Sequence, residues 1–180
     1  MAGGQSSRMK KDKALLPFGA YESLAEYQYQ RLLPYFDKIY ISAKKHKFNF
    51  SVDVIEDCYA NSSPLVALIS VFETLDVEEV FILSVDAPFV TSETIEKLYA
   101  ETKDDASVSV AESPHGMEPL CGIYRRDILT KAKKFLEEDN HRLQALLKTL
   151  QTQSVKIDDR KEFMNLNHPF EYEEAKKILI

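Results

Sequence analysis

The sequence EVFILSVDAPFV occupies residues 79–90 and indicates the fold class of this chain. Residues 79–85 form an almost continuous apolar run, the pattern of a parallel strand that is covered on both faces. Asp86 follows this run directly. Ligands of an open parallel sheet bind beyond the carboxyl ends of its strands, so Asp86 is a candidate ligand for Mg²⁺. A turn or helix-capping role before Pro88 is an equal alternative on this segment alone.

Strand and helix patterns alternate on both sides of this run. Short β-rich runs lie at 38–43, 52–56, 106–111, 119–124 and 153–157. Helices are predicted at 21–36, around 65–72 (Leu65, Leu68, Ile69 and Phe72 on one face), after Thr91 or Ser92, at 128–136, at 143–150 and at 169–179 with Pro169 in the first turn. The alternation predicts an α/β fold with a largely parallel sheet. We expect one domain over 1–180, with a nucleotide-binding half up to about residue 105 and an acceptor-binding half from about 106 to 180.

Composition excludes several classes of protein. The 180 residues carry 23 Lys and Arg against 29 Asp and Glu, a net charge of −6, which argues weakly against general nucleic-acid binding. No apolar run approaches the roughly 20 residues that span a bilayer, and we expect no membrane partner and a cytoplasmic location. Two cysteines, Cys58 and Cys121, make neither a disulfide framework nor a CxxC metal pair, so we expect reduced thiols.

Two further loops are expected at the same edge of the sheet as Asp86. Residues 2–13 combine two glycines with Arg8, Lys13 and neighbouring lysines, a composition that suits a triphosphate but equally a solvated tail. The loop is neither a P-loop nor a GxGxxG motif. In residues 163–169, an extended Asn-x-Asn segment puts the amides of Asn165 and Asn167 on one face. They either contact a metal or phosphate, or cap the helix that starts at Pro169.

Taken together, the motifs resemble the molybdenum cofactor guanylyltransferase family. They occur in the family's order over nearly the whole chain: AGGQSSRM (2–9), DKALLPF (12–18), VIED (54–57), SVDAPFV (84–90), EPLCGIY (118–124) and FMNLNHPFEYEEA (163–175). The opening motif is shared with many nucleotidyltransferases, so it is specific for nucleotidyl transfer rather than for the acceptor. The resemblance implies a Rossmann-like, GT-A type, three-layer sandwich. It also implies Mg²⁺-dependent transfer of GMP from GTP to the terminal phosphate of molybdenum-bearing molybdopterin, with release of pyrophosphate.

The resemblance also implies roles for individual residues. Asp86 would hold Mg²⁺ and, with Lys13 and Arg8, act on the phosphates. Asp57 would accept hydrogen bonds from guanine. The remaining GTP-side residues would be Met1, Ala2, Gly3, Gly4 and Ser42, and those on the acceptor side Asn165, Asn167 and, more weakly, Arg142. Possible protein partners are a molybdenum-insertion protein or a target apoenzyme.

The sequence departs from the family pattern near the base-binding loop. Ser63 and Ala67 stand where the family usually has glycine, and Lys10 replaces the glycine after RM. Guanine preference is therefore less secure. The alternatives are a cytidylyltransferase of the same cofactor, a sugar-phosphate nucleotidyltransferase, or a nucleotide-binding protein that keeps the fold without turnover.

The glycine loop stands directly at Met1, where the family has a hydrophobic first strand before it. We therefore expect the first strand to be missing from this sequence, and the true start to lie upstream. If the chain folds as given, a partner's segment or a rearranged strand is expected in that position, because unpaired backbone groups in the centre of a sheet are costly.

Overall fold

A computed structural model gives the structure of this protein, and it describes residues 1–3 and 12–178. Six strands carry the fold: β1 (Tyr40–Ala43), β2 (Asp53–Glu56), β3 (Glu79–Leu83), β4 (Val108–Ser113), β5 (Gly116–Arg125) and β6 (Thr152–Lys156). In the described residues they form a two-stranded sheet of β1 and β2 and a four-stranded sheet in the order β3-β5-β4-β6.

Strand direction is largely parallel with one exception. β1 pairs in parallel with β2, and β4 pairs in parallel with β6. β5 runs antiparallel to both of its neighbours, β3 and β4. Residues 79–85 were expected to pair as a parallel strand, and this is wrong for the strand partner of β3, which is antiparallel. β3 points the same way as β4 and β6, but its strand partner is β5, which lies between β3 and β4.

Helices cover both faces of the sheets. Their bounds are α1 (Leu24–Leu32), α2 (Pro64–Thr74), α3 (Ser92–Glu101), α4 (Leu129–Glu137), α5 (Leu143–Leu147) and α6 (Pro169–Ile178). One core cluster joins α2, α4 and α5 to β3, β4 and β5. Clusters on the other face join α1 and α3 to the strands and α6 to α1. The predicted α/β sandwich is confirmed, with the apolar faces of the helices buried in these clusters.

The helix predictions are confirmed with shifted ends. The predicted helix 21–36 consists of α1 and a 3₁₀ turn at Leu33–Tyr35, because Pro34 cannot continue the α-helical ladder. Thr91, rather than Ser92, caps α3, and its hydroxyl accepts a hydrogen bond from Thr94 N at 3.2 Å. α5 ends at Leu147, short of the expected residue 150.

A slot separates the two sheets, and Met1 and Ala2 lie at one end of it. Met1 N donates to the Leu83 carbonyl at 2.6 Å, and Val85 N donates to the Met1 carbonyl at 3.0 Å. On the other side, Ala2 N donates to the Ser42 carbonyl at 2.8 Å. Residues 1 and 2 thus pair with the ends of both β1 and β3. Beyond them, a cavity of about 500 Å³ runs between these two strands.

Candidate functional site

Lys13, Asp86 and Asn167 meet at the carboxyl edge of the sheets. Lys13 Nζ lies 2.7 Å from Asp86 Oδ2 and 3.1 Å from Asn167 Oδ1. The side chains of Lys13 and Asp86 are only 16% and 20% exposed. The sequence separations in this cluster are 73 and 154 residues, so the fold assembles it from three distant segments. One described residue from each of the three loops therefore lies in this cluster.

Backbone contacts hold the three segments in place. Lys13 begins a 3₁₀ turn that is capped by Asp12, whose carboxylate accepts from Ala14 N at 3.1 Å. Leu166 N donates to the Asp86 carbonyl at 3.0 Å, which fixes the 163–169 loop against the turn after β3. The alternative role of Asn167 as a side-chain cap is not what the structure shows. Glu171 instead accepts from the backbone N–H of Asn167 and of His168, each at 2.7 Å.

Lys47 is a second cation of this edge that the sequence reasoning missed. Its Nζ lies 2.5 Å from Asp12 Oδ2 and donates to the Ala2 carbonyl at 3.0 Å. Lys47 thus ties the glycine loop to the turn that carries Lys13. The signal was present, since the basic stretch 44–47 follows directly after β1, at the same edge of the fold.

The oxygen atoms at this site fit a magnesium ion. Asp86 Oδ2 and Asn167 Oδ1 both point at one cation, the Lys13 ammonium, and the Ser84 hydroxyl donates to Asp86 Oδ1. Within residues 1–3 and 12–178, no group of three or more His, Cys, Asp and Glu side chains is arranged to hold a metal. An ion here would therefore be completed by substrate oxygens, as Mg²⁺ commonly is beside phosphates.

The Asp57 carboxylate is a second polar group of the site, beyond the ends of β1 and β2. Ser62 Oγ lies 3.2 Å from Asp57 Oδ2 and 3.2 Å from the Gly3 carbonyl oxygen, which joins the glycine loop to this carboxylate. Asp57 Oδ1 is buried with no hydrogen-bond partner in the described residues. Burial raises the pKa of Asp57, while the Ser62 hydroxyl and Lys44 oppose the shift. A buried acceptor without a partner is costly, and a ligand with N–H donors would satisfy it.

His141, which lies before α5, contacts the residue that caps α2, a meeting that the sequence did not predict. Ser63, the N-cap of α2, has its Oγ 3.0 Å from His141 Nδ1, and His141 Nε2 lies 3.0 Å from Asp139 Oδ1. The next residue, Arg142, lines a separate cavity of about 480 Å³ together with Lys148. Ser63, at a position where glycine was expected, thus makes a contact that glycine could not make.

The other predicted site residues lie in different surroundings. Ser42 is buried at the end of β1, and its hydroxyl has no hydrogen-bond partner in the described part of the chain. Asn165 takes part through its backbone, since its carbonyl accepts from Asn167 N at 3.0 Å. The structure does not bring Arg142 to the Lys13 and Asp86 cluster. Gly4 and Arg8 lie outside the described residues.

Both cysteine thiols are unlinked in the structure; Cys121 is buried, whereas Cys58 is exposed. Burial raises the pKa of Cys121 to about 12. The buried Cys121 thiol is therefore not poised as a nucleophile. None of the helices within 1–3 and 12–178 has the length and apolar character needed to cross a membrane.

Comparison with known proteins places this geometry in a family. The model of the MobA-like NTP transferase domain matches residues 1–155. A molybdenum cofactor guanylyltransferase from Campylobacter jejuni is 33% identical over 181 residues, which covers 99% of this chain and 94% of that protein. The enzyme of the same name from Helicobacter pylori strain P12 is 35% identical over 184 residues, covering 99% and 90%.

A solved structure shows the same fold. Molybdopterin-guanine dinucleotide biosynthesis protein A from Archaeoglobus fulgidus superposes with a TM-score of 0.82 at 18% identity, over 98% of this chain and 95% of that one. This likeness confirms the nucleotidyltransferase type of sandwich that the motifs implied.

Proposed function

We propose a guanylyltransferase activity for this chain, which belongs to the MobA-like NTP transferase family. The reaction is the transfer of GMP from GTP to the terminal phosphate of molybdenum-bearing molybdopterin. Curated relatives at 33% and 35% identity over 99% of the chain carry the name molybdenum cofactor guanylyltransferase. The proposal includes a cytoplasmic location, where GTP is present.

The meeting of Lys13, Asp86 and Asn167 is the observation that carries this proposal. In the reaction, an acceptor phosphate oxygen forms a bond to the α-phosphorus while the bond to the bridging oxygen breaks, and pyrophosphate leaves with that electron pair. The acceptor phosphate is already anionic, so the step needs positioning and charge neutralisation rather than a general base. Lys13 lies where it can neutralise phosphate charge.

We propose Asp86, with Asn167 beside it, as the position for Mg²⁺. When bound, the ion would supply charge neutralisation between phosphate oxygens. The Lys13 ammonium now lies between the two oxygens that such an ion would use. Lys13 would therefore turn towards the phosphates when the site is loaded, and Asp86 would exchange an ammonium partner for the metal.

Asp57 is the proposed determinant of base choice. Guanine presents N1–H and N2–H₂ side by side, and a carboxylate with one partnerless buried oxygen matches that pair of donors. Cytosine and adenine lack this arrangement. Gly3 and Ser62 complete the base side, with Met1, Ala2 and Ser42 behind them and Gly4 next in sequence, while Arg8 is proposed for the phosphates.

The acceptor side is proposed to lie in the second half of the chain, from about residue 106. Asn165 and Asn167 would face the pterin, and Arg142 with Lys148 offers positive charge at the separate cavity. A molybdenum-insertion protein or a target apoenzyme is the proposed protein partner, because the product is handed on in bound form.

A nucleotide panel tests the proposal directly. Purified protein is incubated with molybdenum-bearing molybdopterin, Mg²⁺ and GTP, CTP, ATP or UTP in turn, and pyrophosphate release and the dinucleotide product are measured. Of the four nucleotides, we expect only GTP to give product. We expect no product when Mg²⁺ is removed by a chelator. Product with CTP would identify the cytidylyltransferase alternative, and binding without turnover would identify the inactive alternative.

Two substitutions test the residue roles. Asp86→Asn and Lys13→Met are each expected to lower kcat/KM for GTP by about 10²–10³, the usual cost of losing a charge-stabilising group. The matched controls are Asp105→Asn and Lys177→Met, both at exposed residues. If Asp86→Asn kept metal-dependent transfer at the control's rate, the metal assignment would be wrong.

A further inference from the structure

The base segment, residues 58–62 between β2 and α2, is exposed along its whole length. Ser62 is its contact with the candidate site, since Ser62 Oγ lies 3.2 Å from Asp57 Oδ2 and 3.2 Å from the Gly3 carbonyl oxygen. Exposed segments with few bonds are the parts of a protein that open most readily. The fit of Asp57 to a base therefore depends on what holds the two ends of this segment.

Both ends of the base segment are bonded to α2. At the first end, Cys58 N donates to Ser70 Oγ at 2.9 Å. At the second end, Ser63 is the N-cap of α2, and its Oγ accepts from Val66 N at 3.2 Å. This cap uses a lone pair of the hydroxyl oxygen and not its hydrogen. The Ser63 hydroxyl can therefore donate to a further group.

His141 supplies that further acceptor. Its Nδ1 lies 3.0 Å from Ser63 Oγ, and its Nε2 lies 3.0 Å from Asp139 Oδ1. A carboxylate only accepts, so in the neutral ring Nε2 carries the hydrogen and Nδ1 keeps its lone pair for the Ser63 hydroxyl. A chain of hydrogen bonds, all donating in one direction, then runs from Val66 N through Ser63 and His141 to Asp139.

The turn after α4 fixes the position of His141. Asp139 N donates to the Leu136 carbonyl at 3.0 Å, and Asn140 N donates to the Phe135 carbonyl at 2.9 Å. This pair of bonds is typical of a helix end with glycine in the left-handed conformation. Here Asp139 takes that conformation, at φ +53°. Glycine would adopt it without strain, whereas aspartate adds the carboxylate that aligns the His141 ring.

We propose that His141 is a positioning residue for base recognition, which acts by holding Ser63 and, through it, the base segment beside Asp57. The inference rests on the proposed guanylyl transfer. Ser63 stands where the family pattern has glycine, and glycine has no hydroxyl to donate to a histidine. GTP depends on this link because guanine offers Asp57 two N–H donors side by side, whereas CTP lacks that pair.

Nucleotide binding to His141→Ala tests the role. We expect the GTP dissociation constant, measured by calorimetry with Mg²⁺ and no acceptor, to rise about 5–10-fold, as the loss of one hydrogen bond implies. The value for CTP should not change. When transfer is measured, KM for GTP should rise while kcat stays within about twofold, because Lys13 and Asp86 are untouched.

Two further variants serve as a rescue and a control. His141→Asn keeps an acceptor, since its Oδ1 can take the place of Nδ1 opposite the Ser63 hydroxyl, and it should recover most of the GTP affinity. His115→Ala removes an exposed histidine between β4 and β5 and should bind both nucleotides as the parent does. A lower melting temperature with unchanged GTP binding in His141→Ala would show a merely structural role and overturn the proposal.

The Asp57→Asn background shows whether His141 acts through Asp57. There, His141→Ala should change the GTP dissociation constant less than about twofold, because the group that it positions has already been replaced. Equal losses in the two backgrounds would mean that His141 affects GTP by another route, and the positioning role would then be wrong.

Nitrogen-15 NMR of the His141 ring tests the hydrogen-bond chain without nucleotide. At about pH 8.5, where histidine is neutral, we expect the hydrogen on Nε2. The Nδ1 resonance should move in Ser63→Ala and stay near its original position in Ser63→Thr, which keeps the hydroxyl. A hydrogen on Nδ1, or an Nδ1 resonance that ignores Ser63→Ala, would refute the link.

Failure of the proposed activity is distinguishable from failure of this inference. A parent protein that binds GTP without transferring GMP would contradict the proposed function alone, because the dissociation constants and the ring resonances require no transfer. A parent protein without preference for GTP over CTP would contradict both the proposed function and the role of His141 in base recognition.

Discussion

The fold holds Lys13 and Asp86 together as a partly buried ion pair, which substrate would have to separate under the proposed function. Lys13 Nζ is 2.7 Å from Asp86 Oδ2, and both side chains are largely buried. A partly buried ion pair keeps each partner in place, because separating the charges without replacement is costly. Under the proposed function, a triphosphate with its metal would supply both replacements together, an anion for Lys13 and a cation for Asp86. We therefore expect joint binding of nucleotide and metal to be favoured over binding of either one alone.

Asp57 carries the prediction on base choice. We expect Asp57→Asn to lower the preference for GTP over CTP by about 10–100-fold, because an amide replaces one of two acceptors with a donor and the pair of guanine N–H groups loses its match. The measurement is the ratio of kcat/KM for the two nucleotides. Asp53→Asn, an exposed aspartate at the start of β2, is the control. An unchanged ratio in Asp57→Asn would remove Asp57 from base recognition.

Some contacts of the candidate site could be predicted from the sequence and others could not. Lys13, Asp86 and Asn167 could be proposed from the sequence, because each follows or precedes a recognisable element at one edge of a sheet. The contact of Ser63 with His141 could not, because it depends on how the loop before α5 folds over the start of α2. Nothing in either local sequence specifies that meeting, which spans 78 residues.

At the scale of elements, β5 is the strand whose direction the sequence did not reveal. Its burial pattern resembles that of a parallel strand, and only a short turn after β4 marks the reversal, with Gly116 at φ +116°. Gly122 allows β5 to lie close to β4, since a Cβ there would be 2.5 Å from the Ser109 carbonyl oxygen. Apolar runs indicate burial on two faces, but they do not indicate strand direction.

The start of α3 offers a stability prediction. Thr91 Oγ1 accepts from Thr94 N at 3.2 Å, and Glu162 Oε2 accepts from Thr91 N at 2.9 Å and from its hydroxyl at 3.2 Å. We expect Thr91→Ala to lower the free energy of unfolding by about 1–2 kcal/mol, because a helix N–H loses its cap and buried Glu162 loses a donor. Thr91→Ser keeps the hydroxyl and should recover most of the loss. Urea unfolding of the three proteins is the measurement, and equal losses in both variants would contradict the capping role.

At the scale of the whole molecule, the chain forms two sheets held by shared helices and by two residues at one end of a slot. Met1 and Ala2 are the backbone link between β1 and β3 in the described residues. The same two residues lead into the glycine loop and from there to Lys13.

The position of Met1 makes stability depend on pH in a defined window. Burial lowers the pKa of the Met1 ammonium from 8.0 to about 6, and the nearby Asp86 carboxylate opposes part of that shift. The unfolded chain then binds more protons than the folded chain between about pH 6 and 8, so stability rises with pH across that range. The penalty is complete below pH 6 and absent above pH 8. Two units correspond to about 2–3 kcal/mol.

Acetylation of the Met1 nitrogen isolates this effect from the histidines and carboxylates that titrate in both proteins. We expect the acetylated protein to be more stable than the unmodified one by about 2–3 kcal/mol at pH 6, with the difference shrinking towards zero near pH 8.5 as the free amine loses its proton in both states. Urea unfolding at intervals of half a pH unit measures this, on material whose intact mass shows that Met1 is retained. Parallel curves for the two proteins would mean that the amine lies in water, and that the ladder between Met1, Leu83 and Val85 does not form. A difference confined to the expected window would instead show that the Met1 amine is buried where it donates to the Leu83 carbonyl.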